Sequence, residues 1–230
     1  MNEMVLFICM LSAGIGIPWV VTSNQGFSLS NEAVFGVDDR VLEWLRPASV
    51  YLQNHPRTSQ SLIALSSLLM DAQYVLMVLA VARRRKVLHA VPFALFYVLR
   101  MLIQRLVFLP RLTESVWSSP GVPTLTIFYE QVHDYFPSGH VGIVLLCYLY
   151  HTKLKEQRTA RLALFQVFFQ AFVVMVTRTH YSVDVIGGVL LAYSVWSLTK
   201  NRIFPCKVRR RILKLIQRQP AQDLKCFLSD

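Results

Sequence analysis

Six apolar segments constrain this chain more than any other feature: five are close to the length that crosses a membrane, and the fourth is short, with 15 residues. The hydrocarbon core of a bilayer is about 30 Å thick, so a helix needs about 20 apolar residues to cross it. The segments are residues 4–22, 61–82, 87–109, 137–151, 160–177 and 181–199. With 54% hydrophobic residues and a mean hydropathy of +0.42, the chain is too apolar for an ordinary soluble domain. The sequence therefore predicts an all-α, polytopic bundle of six transmembrane helices over residues 1–203.

The basic residues follow alternate loops of this map. The formal net charge is +11, and most of the 24 Lys and Arg residues lie at 83–86, at 153–161 and from Lys200 onward. Cytosolic loops of membrane proteins are enriched in Lys and Arg, so we expect these three segments and both termini in the cytosol. Topology thus explains the charge without nucleic acid. The other loops are expected in the lumen or exterior, with the endoplasmic reticulum or Golgi as the expected membrane.

Three flanking segments carry weaker signals. Segment 4–22 follows Glu3 and lacks an Ala-x-Ala site, which favours a retained span over a signal peptide. The loop after it holds an amphipathic stretch opened by Asp38 and Asp39, which predicts a helix lying in the interface. The tail at 204–230 has apolar residues at helical spacing among basic ones, which predicts a surface helix on anionic lipid. Cys206 beside it is a candidate for palmitoylation.

Two histidine clusters fall at the same, luminal end of the predicted bundle. One runs from Asp134 to His140 and enters the fourth segment, and the other runs from Arg178 to Asp184, between the fifth and sixth segments. His180 and Asp184 are four residues apart, so on a helix they share one face, and the carboxylate can orient the imidazole. A supported imidazole can attack phosphorus while His140 protonates the departing alkoxide. Taken alone, either histidine would be an ordinary polar residue at a water boundary.

Several neighbours could bind the phosphate. Ser138 and Gly139 precede His140, where backbone N–H groups at a helix start attract anions. Arg178 offers a planar fork for phosphate oxygens. Asp71, Arg100 and Arg105 lie within apolar segments, where charges are costly and need partners. A structural Asp71–Arg100 ion pair and a headgroup contact are both open for the first two, and Arg105 lies closer to the predicted phosphate.

An aromatic and acidic wall beside the site is a further candidate surface. A quaternary ammonium headgroup could bind among these side chains, although aromatic residues are also expected at any membrane interface. The candidates are Tyr129, Glu130, His133, Asp134, Tyr135 and Tyr181. No close Cys pair or other zinc spacing occurs among the four cysteines, so we expect neither a metal nor a disulfide framework, and no cofactor.

The two clusters resemble the motifs of the lipid phosphatase and phosphotransferase superfamily. Phe136-Pro-Ser-Gly-His140-Val is similar to its Ser-Gly-His motif, and Thr177-Arg-Thr-His180-Tyr-Ser-Val-Asp184 to its His-Tyr-x-x-Asp motif. Tyr97-Val-Leu-Arg100 with Leu109-Pro110 resembles an upstream element of the family. Within the superfamily, the chain looks most like sphingomyelin synthases and the plant phosphatidylcholine:diacylglycerol cholinephosphotransferase. The resemblance covers roughly residues 73–192.

The resemblance implies a function and its alternatives. It implies transfer of phosphocholine, or a related phospho-alcohol, from a glycerophospholipid to diacylglycerol or ceramide. His180 would carry the phospho-intermediate, Asp184 would assist, and His140 would complete the triad. Pro137 before Ser-Gly-His also suits the lipid phosphate phosphatases, in which water is the acceptor. A non-enzymatic lipid-binding or scrambling relative is the third interpretation, and homo-oligomerisation is left open.

Overall fold

The computed structural model describes residues 38–85, 87–107, 109, 112, 114–127, 129 and 136–203. Within these ranges all regular structure is helical, as the sequence predicts. Seven α-helices follow one another, with a 3-10 turn at Val87–His89 between the third and fourth: α1 (Arg40–Trp44), α2 (Arg46–Asn54), α3 (Pro56–Arg84), α4 (Val91–Leu106), α5 (Gly139–Leu154), α6 (Gln157–Val176) and α7 (Ser182–Ile203). The predicted first span at 4–22, Asp134, and the basic tail at 204–230 with Cys206 lie outside the described residues.

Three of the described helices are long and apolar enough to cross a membrane. They are α3 with 29 residues, α6 with 20 residues and the Ser182–Asn201 part of α7. Their outer faces are apolar, since Leu68, Phe168 and Leu190 are each more than half exposed. Apolar faces of this extent require lipid around them. These helices correspond to the second, fifth and sixth predicted spans and identify the chain as a membrane protein.

The third predicted span, 87–109, is shorter as a helix than the sequence predicts, whereas the fourth, 137–151, is about as short as its predicted segment. α4 and α5 contain 16 residues each, about 24 Å at 1.5 Å per residue, less than the bilayer core of about 30 Å. α4 begins at Val91 because a 3-10 turn occupies Val87–His89 and a proline stands in the first helical turn. It ends where Val107 is extended. The predicted bundle of six spans is therefore not confirmed.

Helix α5 is the central element of the core. Its buried residues cover most of its circumference, and it packs chiefly against α6 and α7. Two glycines let α5 and α7 cross closely: a Cβ on Gly142 would lie 2.9 Å from the carbonyl oxygen of Gly188. Small residues allow helix backbones to approach in this way. The turn at Lys155–Glu156 makes α5 and α6 antiparallel, so the start of α5 and the end of α6 share one end of the bundle.

Polar contacts join the helices at the opposite end. Glu156 accepts a hydrogen bond from His151 Nδ1 at 2.8 Å, and its other carboxylate oxygen lies 3.7 Å from the Arg84 guanidinium. This contact brings together the two basic segments, at 83–86 and 153–161, that were predicted to share one membrane side. The buried phenol of Tyr150 contacts His89 Nδ1 at 2.9 Å nearby. The far end of α3 and the α5–α6 turn are thereby held together.

The loop after α4 folds against α3 through Asp71. The two carboxylate oxygens of Asp71 accept hydrogen bonds from the backbone of Leu125 and Thr126, each at 3.0 Å, and from the Thr126 hydroxyl at 2.7 Å. The alternative of a structural ion pair between Asp71 and Arg100 is therefore wrong. Backbone N–H groups of the loop bind the Asp71 carboxylate instead, and a sequence does not reveal such partners as it reveals charged side chains.

The predicted interfacial helix is present as α1 and continues into α2. Asp39 caps α1, accepting from Val41 N at 3.0 Å and Leu42 N at 3.3 Å. Leu42 is buried, whereas Trp44 is 78% exposed. The amphipathic pattern thus orients α1, with one leucine in the protein and the tryptophan turned outward.

Candidate active site

The turn between α6 and α7 sets the position of His180. Helix α6 ends at Val176 with Thr177 as its C-cap, and Arg178 adopts a left-handed conformation with φ of 53°. The backbone N–H groups of Thr179 and His180 both donate to the carbonyl of Val174, at 2.9 and 3.1 Å. These bonds fold the chain back over the last turn of α6, as αL helix ends do. His180 consequently points into the protein and is 1% exposed.

Asp184 binds His180 from the first turn of α7. Its Oδ2 lies 3.3 Å from His180 Nδ1 and accepts from Tyr181 N at 2.8 Å, and the carboxylate is fully buried. A negative charge at a helix N-terminus is favoured by the helix dipole and by the free N–H groups there. The contact predicted by the four-residue spacing is therefore formed. With a proton on Nδ1, His180 has its lone pair on Nε2.

His140 comes to the same place from the start of α5. Ser138 caps this helix, and its N–H donates to the backbone carbonyl of Asp184 at 2.9 Å. The rings of His140 and His180 are 5.9 Å apart between centroids, with planes inclined by 68°. The structure therefore brings together all three residues of the predicted triad at one end of the bundle. The buried Ser138 hydroxyl has no hydrogen-bond partner among the described residues.

Arg100 is part of the same site. Its guanidinium is 7% exposed and donates from Nε to the carbonyl of Pro137 at 3.0 Å. A Cβ on Gly139 would lie 2.9 Å from the guanidinium carbon, so the absence of a side chain at Gly139 makes room for it. A fixed positive charge thus lies against the N-terminus of α5, where the helix dipole and free N–H groups also attract anions.

Asp39 supports the site, a role that the sequence did not predict. While its Oδ1 caps α1, its Oδ2 accepts from Ser182 N at 2.6 Å. Ser182 is the first residue of α7, two positions from His180. One carboxylate therefore fixes the starts of two helices. The sequence shows that Asp39 can cap α1 but gives no sign of the second contact, which spans 143 residues.

Trp117 and Tyr129 form the wall beside His140. The Trp117 ring meets the His140 ring edge to face at 5.4 Å and lies 5.6 Å from the Tyr129 ring. The Tyr129 hydroxyl contacts Ser67 of α3. Burial raises the pKa of Tyr129, the nearby Asp71 carboxylate raises it further, and the Ser67 contact lowers it. The phenol is consequently neutral and able to donate. Tyr129 was a candidate wall residue, whereas Trp117 was missed.

The remaining candidates differ in their surroundings. Arg178 is 9% exposed, and its guanidinium lies 3.1 Å from Glu114 and 3.7 Å from Glu43, so two carboxylates already bind it. Arg105 is exposed in the last turn of α4. The Tyr181 side chain is buried in an apolar cluster with Leu42. It is therefore not exposed on the open wall that the sequence predicted could receive a headgroup. The substrate-binding roles of these three stay predictions.

The residues described by the structure contain no group of three or more His, Cys, Asp or Glu side chains arranged to hold a metal ion. The site therefore offers paired imidazoles, one carboxylate and one guanidinium for chemistry. This set can attack, protonate and neutralise a phosphate ester.

Comparison with known families points to the same chemistry. Residues 133–202 match the PAP2 superfamily C-terminal family model. The match includes His140, His180 and Asp184, and it supports a lipid phosphatase or phosphotransferase. It does not distinguish the sphingomyelin synthase branch from the rest of the superfamily. Neither the curated proteins nor the solved structures gave a significant match.

Proposed function

We propose that this membrane protein is a phospholipid headgroup transferase. In this proposal it moves phosphocholine, or a related phospho-alcohol, from a glycerophospholipid to diacylglycerol or ceramide. The observation that carries it is the pairing of a buried, carboxylate-bound His180 with a second imidazole, His140, whose ring centroid is 5.9 Å away. Two imidazoles in different surroundings can divide the tasks of nucleophile and acid.

In the first half-reaction, His180 attacks the phosphorus of the donor lipid. Nε2 forms the P–N bond, while the bond between phosphorus and the glycerol oxygen breaks. His140, as imidazolium, gives its proton to that oxygen, and diacylglycerol leaves. Asp184 stabilises the positive charge that develops on His180 through the 3.3 Å contact to Nδ1.

In the second half-reaction, the acceptor alcohol replaces the leaving lipid. Its oxygen attacks the phosphorus of the phosphohistidine, and its proton passes to His140. The P–N bond breaks, and His180 regains its free Nε2. Both halves use the same groups in reverse order, so the acid of the first step is the base of the second.

Arg100 and the first N–H groups of α5 are the proposed phosphate site. The guanidinium packs on Gly139, one residue before His140, and supplies a fixed charge beside the place where phosphate charge increases. Ser138 adds a buried hydroxyl with no partner among the described residues. Arg178 is the weaker candidate, because an anionic ligand would compete with Glu43 and Glu114 for its guanidinium.

Lipid phosphate hydrolysis is the second candidate, because the PAP2 superfamily match covers this chemistry equally. Water would then take the place of the acceptor alcohol. Both functions begin with attack of His180 on a lipid phosphate ester and loss of the lipid alcohol. They differ in the group transferred, phosphocholine from phosphatidylcholine or phosphoryl from phosphatidic acid, and in the acceptor that resolves the intermediate. The orientation of the bundle, with the site in the lumen of the endoplasmic reticulum or Golgi, is part of the proposal and follows the basic loops.

The decisive experiment offers each candidate acceptor in a separate arm to purified protein in lipid nanodiscs. We would supply phosphatidylcholine with glycerol-labelled diacylglycerol or with labelled ceramide, and phosphatidic acid alone in a third arm. Label entering phosphatidylcholine or a sphingophospholipid supports transfer. Release of free phosphocholine, or of inorganic phosphate from phosphatidic acid, without lipid labelling identifies hydrolysis instead.

His180→Ala is the negative control, with Gln166→Ala on α6 as the matched folded variant remote from the triad. We expect His180→Ala to abolish transfer while expression and thermal stability persist. Loss of any one member of a cooperating catalytic set removes most of the rate. Unchanged transfer in His180→Ala would reject the mechanism. No transfer and no hydrolysis by an intact, monodisperse wild-type protein would favour a non-enzymatic lipid-binding role.

A further inference from the structure

A narrow cleft lies between α3, α4 and α5 and reaches the first turns of α5 after His140. It is partly open, and its free space, counted together with the open solvent at its mouth, is about 270 Å³. Ile143 and Val144 line it from α5, three and four residues after His140, which is about 5 to 6 Å along the helix. Thr126, on the loop anchored by Asp71, borders it from another direction. The cleft is therefore within reach of a molecule whose phosphate lies at His140.

The lining of this cleft is apolar with one buried exception. Gln73 of α3 is this exception. Around it the walls are mainly methionine, aliphatic and aromatic side chains, namely Met70, Tyr74, Met77, Tyr97, Ile143 and Val144. Gln73 is 1% exposed, and both atoms of its amide group lack a hydrogen-bond partner among the described residues. The Cys147 thiol is the one polar neighbour close enough to interact with the Gln73 amide among the residues that line the cleft, and a thiol is a weak hydrogen-bond partner.

A buried amide with both atoms unsatisfied requires an explanation, because such groups are costly in apolar surroundings. The Thr126 hydroxyl borders the same cleft but makes its hydrogen bond to Asp71 and none to Gln73. A ligand that brings a carbonyl oxygen into an otherwise apolar chain would satisfy the amide N–H from the open side of the cleft. Acyl lipids have this composition: one carbonyl next to the headgroup, followed by methylenes.

We propose that this cleft binds the carbonyl end of a lipid acyl chain, with the Gln73 side-chain amide donating a hydrogen bond to the acyl carbonyl. The proposal rests on the proposed headgroup transfer, because it takes the phosphorus chemistry to occur at His140 and His180. It adds a subsite that recognises acyl lipids, whether the carbonyl belongs to a glycerolipid ester or to a ceramide amide. Gln73 then acts in specificity and touches none of the reacting atoms.

The test compares ester lipids with ether analogues, which have the same chains but no carbonyl. For wild type we expect kcat/KM to be about fivefold to tenfold higher with the ester than with the ether. A ratio of this size corresponds to the net contribution of one neutral hydrogen bond to binding. In Gln73→Met, which keeps length and removes the amide, the ester-to-ether ratio should fall to about one. Exchanging the donor and the acceptor for ether analogues separately identifies the lipid that occupies the cleft, and ceramide replaces diacylglycerol in a third arm.

Gln166→Met is the matched control. Gln166 is also a fully buried glutamine without a partner among the described residues, but it lies on α6 and does not line the cleft. The same chemical change there should leave the ester-to-ether ratio at the wild-type value. A wild type indifferent to the carbonyl, or a Gln73→Met variant that retains the preference, would overturn the proposal.

A binding measurement separates this proposal from the proposed reaction. Short-chain diester lipid should raise the melting temperature of wild type and of His180→Ala more than the diether analogue does, and Gln73→Met should remove the difference. If wild type shows no turnover but retains this difference in stabilisation, headgroup transfer fails and the acyl subsite stands. If turnover is found with equal stabilisation by ester and ether, the acyl subsite fails alone.

Discussion

Gly188 is the position where one added methyl group tests the geometry of the site most directly. A Cβ on Gly188 would lie 2.4 Å from the carbonyl oxygen of Ser138, whereas ordinary van der Waals contacts of a Cβ begin at 3.4 Å. In Gly188→Ala, relief therefore requires α5 and α7 to separate by about 1 Å. The opposing atom belongs to the backbone, so no side-chain rotation can relieve the clash.

This separation acts directly on the histidine pair. Ser138 donates to the backbone carbonyl of Asp184 at 2.9 Å, so pushing Ser138 away from α7 also moves His140 away from His180. A misplacement of about 1 Å at a reacting centre can lower the rate about 10²-fold, equivalent to about 2.7 kcal/mol in the activation barrier. Overpacking in a core costs about 1–3 kcal/mol in the free energy of unfolding. We expect both losses in Gly188→Ala.

The neighbouring glycine is the matched control for this prediction. A Cβ on Gly187 would lie 2.5 Å from the edge of the Phe136 ring, a side chain that can turn aside. Gly187→Ala should therefore keep most of the wild-type kcat. Turnover in nanodiscs and melting temperature would be measured for both variants at equal amounts of folded protein. A Gly188→Ala variant with kcat within twofold of wild type would show that the α5–α7 crossing does not set the distance between the imidazoles.

Three further substitutions test the support of the site. Asp39→Asn leaves one acceptor oxygen for two helix starts, so we expect about 0.5–2 kcal/mol less stability to thermal unfolding and a lower kcat, with a larger loss in Asp39→Ala. Asp184→Asn removes the charge that orients His180 and should lower kcat about 10²-fold to 10⁴-fold without loss of expression. Arg100→Lys keeps the charge but not the planar fork, so kcat/KM should fall about tenfold or more, and an unchanged value would remove Arg100 from the phosphate site.

The triad geometry could be predicted because it depends on local spacing and on topology. His180 and Asp184 are four positions apart, the spacing that puts two side chains on one helical face. The contact forms although α7 begins only at Ser182, because Asp184 reaches back over the first turn of α7 to His180. His140 is brought to them because two apolar segments joined by a short basic turn must run antiparallel, which returns the chain to the same end. Neither inference required knowledge of side-chain packing.

The support around the triad could not be predicted because it depends on contacts across the fold. Asp39 reaches Ser182 only when α1 lies beside the start of α7, and nothing near Asp39 in sequence encodes that position. An arginine partner for Asp71 was one of two open alternatives because charges can be recognised in a sequence, whereas the backbone N–H groups of Leu125 and Thr126 that bind it cannot. The close approach of Gly188 to Ser138 could not be predicted either, because it depends on how α5 and α7 cross.

The lengths of the helices around the site favour a lipid over a water-soluble phosphate ester as its substrate. α5 spans 16 residues, about 24 Å, and one of its ends is level with the basic end of α3, where Arg84 meets Glu156. If these basic residues lie at the headgroups of one leaflet, His140 at the other end of α5 has crossed about 24 Å of a hydrocarbon core about 30 Å thick. The imidazoles then lie near the inner edge of the opposite headgroup layer. A soluble ester would have to leave water to reach them, whereas the chains of a lipid hold its phosphoester close to this depth.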